Sequence, residues 1–154
     1  MITDAHNKFS TAQTGAFAAG SAISTNVIDL NAGVLSPTLR DLGTGRDMTF
    51  VVSIDTTFTS SGSATVAFSL ESDSTANLAT SATVHYTTAA LVYSTLTAGS
   101  IPVMVKLPQG VTYERYLGAR CTVAVATTTA GAFSAYLVET AQAWNAYPKN
   151  YTIS

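Results

Sequence analysis

The chain has 154 residues, a formal net charge of −2 and only 10% charged residues against 47% hydrophobic ones, where an average soluble domain carries about 25% charged residues. That balance argues against a nucleic-acid partner, because phosphate binding needs clustered Lys and Arg and the seven basic residues here are scattered. So little surface charge gives weak protection against association, so much of the surface is expected to lie against other protein, as in a structural part of a permanent assembly more than a catalyst.

In chain order, residues 1–25 read as an N-terminal arm, small and polar, with isolated apolar points at Ile2, Phe9 and Phe17. Residues 26–142 read as one all-β domain. Residues 26–30 form a short first strand, and 48–55 a strong one with Met48, Phe50, Val52 and Ile54 on one face. Residues 64–71 alternate Ala64, Val66, Phe68 and Leu70 with Thr65, Ala67, Ser69 and Glu71, the period-2 pattern of a half-buried strand. The Thr59–Ser63 turn between these two predicts a hairpin. Residues 81–87 and 101–107 follow; Pro102 makes the second an edge strand or stands at its start. The stretch 88–97 is open between a helical turn and another strand. Pro108-Gln109-Gly110 is a turn. Strands at 115–126 and 133–141 complete the body, with a hairpin-like Thr127–Gly131 linker between them. Residues 143–154 are a C-terminal aromatic arm carrying Trp144, Tyr147 and Tyr151 around Pro148. About seven or eight strands with a turn signal every ten or so residues predict an antiparallel, jelly-roll-like β-sandwich with two terminal arms.

Few residues invite chemistry. Cys121 stands alone among apolar neighbours, as a buried and inert thiol would. His6 and His85 have no ligand partner at metal spacing, and nucleophile-elbow, phosphate-loop and zincin motifs do not occur. The run Glu71-Ser72-Asp73-Ser74 reads as a solvated loop in preference to a calcium site. Arg115-Tyr116 and Arg120 read either as edge charges that discourage wrong strand pairing or as one half of an inter-subunit salt bridge. Trp144, Tyr147 and Tyr151 suit a sugar-stacking platform or an anchor in a protein groove; their place on a Pro-containing tail favours the anchor. No cofactor and no metal is expected. The N-terminus lacks the basic and apolar regions of a signal peptide, and no stretch approaches the roughly 18 apolar residues of a membrane span, so synthesis in the cytoplasm and no membrane partner are expected.

Met1-Ile2-Thr3-Asp4-Ala5, Phe9-Ser10 and Ala12-Gln13 resemble the start of the capsid cement, or decoration, proteins of certain short-tailed bacteriophages of the Bordetella-phage and epsilon-fifteen-like type. Ser24–Leu30 resembles that family's first-strand motif, and Arg40-Asp41-Leu42-Gly43 with Gly45 its following turn. The Phe50/Val52 strand, the Glu71–Ser74 run, the segment from Leu107-Pro108 to Arg115-Tyr116-Leu117 and the strand from Phe133 to Gln142 fall in the family's order. An insertion around Gly33 to Thr38 and the long aromatic tail depart from it. The resemblance implies a non-enzymatic jelly-roll virion protein, a homodimer or possibly a trimer, that sits on the outer surface of the capsid and clips neighbouring major capsid proteins together. Ile2, Phe9, Phe17, Arg115, Tyr116, Trp144, Tyr147 and Tyr151 are the residues expected at capsid or subunit contacts. A carbohydrate-binding, receptor-recognising β-sandwich is the alternative, resting on the aromatic tail.

Overall fold

The computed structural model describes residues 5–31, 48–79, 81–107 and 110–139. Ten strands are found there: β1 (Lys8–Thr14), β2 (Gly20–Ile23), β3 (Ile28–Asp29), β4 (Thr49–Ser60), β5 (Thr65–Asp73), β6 (Thr83–Thr87), β7 (Leu91–Val92), β8 (Val103–Lys106), β9 (Tyr116–Ala124) and β10 (Thr128–Val138). The helical content of the described residues is two short 3-10 turns, Ala5–Asn7 and Tyr93–Thr95. All pairings are antiparallel. One sheet has the order β1-β10-β4-β8 and the other β2-β9-β5-β6, with β3 beside β9 and β7 beside β5. With the two-residue strands β3 and β7 set aside, the remaining eight form the double-sheet jelly roll.

The two sheets close on one another through side chains that alternate inward. Phe50, Val52 and Ile54 of β4, Val66, Phe68 and Leu70 of β5, Leu117, Cys121 and Val123 of β9, and Phe133, Ala135 and Leu137 of β10 are each at most 2% exposed. Ring edges meet ring faces at Phe9–Phe50 (5.9 Å), Phe68–Phe133 (5.2 Å) and Phe50–Tyr86 (6.4 Å). Each such pair adds about 0.5–1.5 kcal/mol beyond its buried area. Cys121 is fully buried in this core, and desolvation pushes its thiol up to about 12.

Several expectations need correcting. The N-terminal arm is not an arm over residues 8–23. β1 is an edge strand of the first sheet and β2 an edge strand of the second. Residues 24–26 tie the two together: Ser24 N–H donates to Ala119 O (2.7 Å) and Asn26 N–H to Phe9 O (2.8 Å). The two expected hairpins are corners between sheets. β4 pairs with β10 and β5 with β9, so the β4–β5 and β9–β10 connections cross from sheet to sheet side by side. Thr59 and Thr129 hydroxyls meet at 2.8 Å, and Ser60 Oγ–H donates to Thr127 O at 2.7 Å. The Glu71–Asp73 stretch is not a solvated loop but the end of β5, with Glu71, Ser72 and Asp73 at most 5% exposed. As expected, Pro102 stands just before β8, which pairs with β4 alone among the described strands. The stretch 88–97 holds both alternatives, the short strand β7 and a 3-10 turn.

Candidate functional site

The residues expected at contacts are dispersed by the fold. Phe9 is fully buried in the core, so it is a packing residue and unavailable to a neighbour. Phe17 packs half-buried against the same core. Its N–H donates to Thr128 Oγ1 (3.2 Å), and the Thr128 hydroxyl lies 3.1 Å from its carbonyl. Arg115 and Tyr116 do stand at the surface, but the guanidinium already has an intrachain partner. Arg115 Nε and Nη2 donate to the two carboxylate oxygens of Asp29 at 3.1 and 3.0 Å, and the guanidinium lies over the Tyr116 ring at 4.9 Å. The fork-to-fork geometry orients the pair, and the Asp29 hydrogen bonds hold the Arg115 pKa above its ordinary value. Ile2, Trp144, Tyr147 and Tyr151 lie outside the described residues.

Arg120 is neither an edge charge nor half of a bridge to another subunit. β9 is interior to its sheet, and Arg120 reaches to Glu71 on the neighbouring strand β5. Its Nε donates to Glu71 Oε2 (2.8 Å), its Nη2 to Leu78 O (2.6 Å) and its Nη1 to Ser21 Oγ (3.3 Å). Ser69 Oγ–H donates to the other carboxylate oxygen, Oε1, at 2.6 Å. Both Glu71 oxygens are thus engaged, which closes this carboxylate to a cation. Leu78, 1% exposed, packs over Gly118 in the middle of the same face; a Cβ at residue 118 would come within 2.9 Å of Val27 and 3.2 Å of Leu78. Small residues at this point let the 74–79 segment lie flat on the sheet and bury the ion pair. Sequence inspection misses this network because Glu71 and Arg120 are 49 positions apart, and only strand register brings them together.

A second cluster sits at the β5–β6 end of that sheet. Ser72 Oγ accepts from Glu114 N–H (3.0 Å) and lies 2.7 Å from His85 Nε2. The His85 ring meets the Tyr113 ring at a tilt of 56° with centroids 4.5 Å apart, and Thr83 Oγ1–H donates to Glu114 Oε1 at 2.9 Å. A serine hydroxyl beside an imidazole nitrogen is the local geometry of an activated nucleophile. Here, though, Ser72 is fully buried, and its hydroxyl joins β5, β6 and the 110–114 segment. The Ser72 proton suits a neutral imidazole acceptor. Desolvation lowers the His85 pKa below 6.5, and the negative charge of Glu114 opposes that shift. A histidine whose native pKa is depressed keeps its full contribution above the unfolded value and loses it as pH falls. Thermal stability is therefore expected to decline as pH falls from about 6.5 toward the lower native value. His85→Gln should flatten that part of a melting-temperature-against-pH curve, and an unchanged slope in the variant would assign the dependence elsewhere.

The free surface has its own pattern. The exposed large apolar side chains among the described residues are Val84, Val92, Ile101, Met104, Val111 and Val125. Val84 lies on β6, Val92 on β7, and Met104 on β8 just after Ile101, so four of the six follow the side of the sandwich opposite β1 and β2. Val125, 76% exposed, projects from the β9–β10 corner with φ +73°. That conformation is strained for a β-branched residue, by roughly 1–3 kcal/mol, and glycine would relieve it.

An antiparallel double-sheet jelly roll is the class of fold these residues define, with Arg115 and Arg120 held in intrachain pairs and five of the six exposed large apolar side chains of the described residues along one side and one corner. The family model Bbp16 matches residues 9–137, and the chain belongs to that family, a Bordetella phage protein family. No curated protein matches the chain.

Proposed function

We propose that this protein is a non-enzymatic structural component of a phage virion, a capsid cement protein that bridges neighbouring major capsid proteins on the outer surface of the shell. The observation that carries the reading is the placement of the exposed apolar residues on a phage-family jelly roll. A cement protein resists the outward pull of packaged DNA through many modest contacts acting together. It needs a stiff body and scattered apolar contacts, and no cleft where ionisable groups converge. The polar groups that a catalyst would deploy are here spent on packing, Arg120 on Glu71, Arg115 on Asp29 and Ser72 on His85. Self-association as a homodimer belongs to the same proposal.

Washed virions should contain this chain in stoichiometric, many-copy amounts, and its absence from them would sink the reading. Met104→Asp and Val125→Asp change exposed side chains; the first should leave stability within about 0.5 kcal/mol, and the second should leave it unchanged or raise it, because Asp tolerates the positive φ better than Val. Each should reduce the amount of protein that co-sediments with capsids stripped of it. Undiminished decoration by both variants would show that these residues are not the contacts.

A further inference from the structure

On the outer face of the four-stranded sheet lies a polar cup that none of the roles above uses, and we propose that it binds one neutral hexose unit. β1 does not follow β10 evenly. Its register shifts between Lys8 and Ser10 and again between Ser10 and Gln13, and Ala12 takes φ +45°. A bulge of this kind redirects side chains and is common beside functional sites, and a left-handed non-glycine residue persists only where its surroundings hold it. Here Ser134 Oγ accepts the Ala12 N–H at 3.0 Å, while its own proton goes to Asp55 Oδ2 at 2.7 Å. The bulge, β10 and β4 are thereby locked together around an open cavity of about 220 Å³.

The lining decides the ligand. Lys8 and Thr11 form one wall, Ser53 and Asp55 the other, and Ser134 and Tyr136 stand between them on β10. Each of these side chains carries a hydroxyl or a charge, so an apolar occupant would strip water from groups it cannot pair, at about 1–3 kcal/mol each. Lys8 and Asp55 carry opposite charges, so a cation or an anion would meet a like charge along with its counter-charge. A neutral polyol suits both walls, because a sugar hydroxyl accepts from the Lys8 ammonium and donates to the Asp55 carboxylate. At roughly 30 Å³ per water, the cavity corresponds to about seven waters. That is the scale of a single sugar ring, below the roughly 300–1,000 Å³ of sites for drug-sized ligands.

The test is a nuclear magnetic resonance titration of the full ¹⁵N-labelled chain with D-glucose, D-galactose and D-mannose. Binding should shift the amides of residues 8–12, 53–55 and 134–136 and saturate in the millimolar range for at least one sugar. Asp55→Ala should weaken that sugar at least tenfold. Lys8→Gln, which leaves the Asp55–Ser134 bond in place, should weaken it too, with the rest of the spectrum unchanged in both variants. No response to any of the three sugars, shifts mapping away from the cup, or affinity unchanged from the parent protein in both variants would overturn the proposal. So would a response to phosphate or ethylammonium alone, which would make the site one for a charged ligand.

Discussion

Gly131→Ala should destabilise the protein by about 2–6 kcal/mol, the sum of a strained backbone and an overpacked core. Gly131 takes φ +144° where β10 shifts register against β4. A Cβ there would sit 2.7 Å from two carbons of the Phe58 ring. The same ring lies equally close to Gly15, where a Cβ would be only 2.4 Å from it, and Gly15 is bound to Gly131 through an N–H···O=C bond of 2.9 Å. Phe58 is 1% exposed, and its ring lies across two neighbouring backbone segments that only glycine lets it approach so closely. The measurement is the urea midpoint at unchanged slope. In a Gly131→Ala, Phe58→Leu double variant the smaller side chain removes the clash, so the two losses should be markedly less than additive. A loss below about 0.5 kcal/mol for Gly131→Ala alone, the ordinary range of surface changes, would contradict the clamped ring.

Arg120→Leu should cost about 2–4 kcal/mol, somewhat less than the roughly 3–5 kcal/mol typical of stranding one partner of a fully buried pair, because the arginine side chain keeps 21% exposure while that of Glu71 keeps 7%. The variant leaves the Glu71 carboxylate with one hydroxyl donor, Ser69, and leaves the Leu78 carbonyl without its guanidinium donor. A Glu71→Leu, Arg120→Leu double variant removes the stranded charge as well and should recover much of the loss. Thermal and urea unfolding of the four proteins in the cycle give the coupling directly. A double variant as unstable as Arg120→Leu would show that the guanidinium acts mainly through Leu78 and the 74–79 segment, not through Glu71.

Local patterning shows where it informs and where it stops. Period-2 alternation identified the inward faces of β4, β5 and β10, because a residue buried between two sheets must be apolar whatever it pairs with. It missed β1, whose sequence Lys8–Thr14 holds one large apolar residue, Phe9; an edge strand needs only one anchor in the core. The composition of Thr59–Ser63 and Thr127–Gly131 specifies a change of direction, but not whether the next strand returns beside its predecessor or crosses to the facing sheet. That depends on β4 meeting β10 and β5 meeting β9, pairings that no local stretch encodes. The Glu71–Asp73 run looked solvated because its partners, Arg120, His85 and Glu114, come from distant strands. Of the candidate contacts, Phe9 and Phe17 were apolar points with no periodic context, and without that context a core anchor and an arm anchor look alike.

The first and last long strands of this jelly roll lie against each other, Lys8 opposite Tyr136 and Thr14 opposite Ala132. β10 is made after every other described strand, so the sheet that holds β1 cannot close until β10 has emerged. Topologies of such large sequence separation acquire their structure slowly. Until then the phenylalanines of β1 and β4 wait beside an unfilled position, and nascent chains are open to premature association. Any assembly that uses this protein in many copies must therefore draw on chains in which β10 has already docked between β1 and β4.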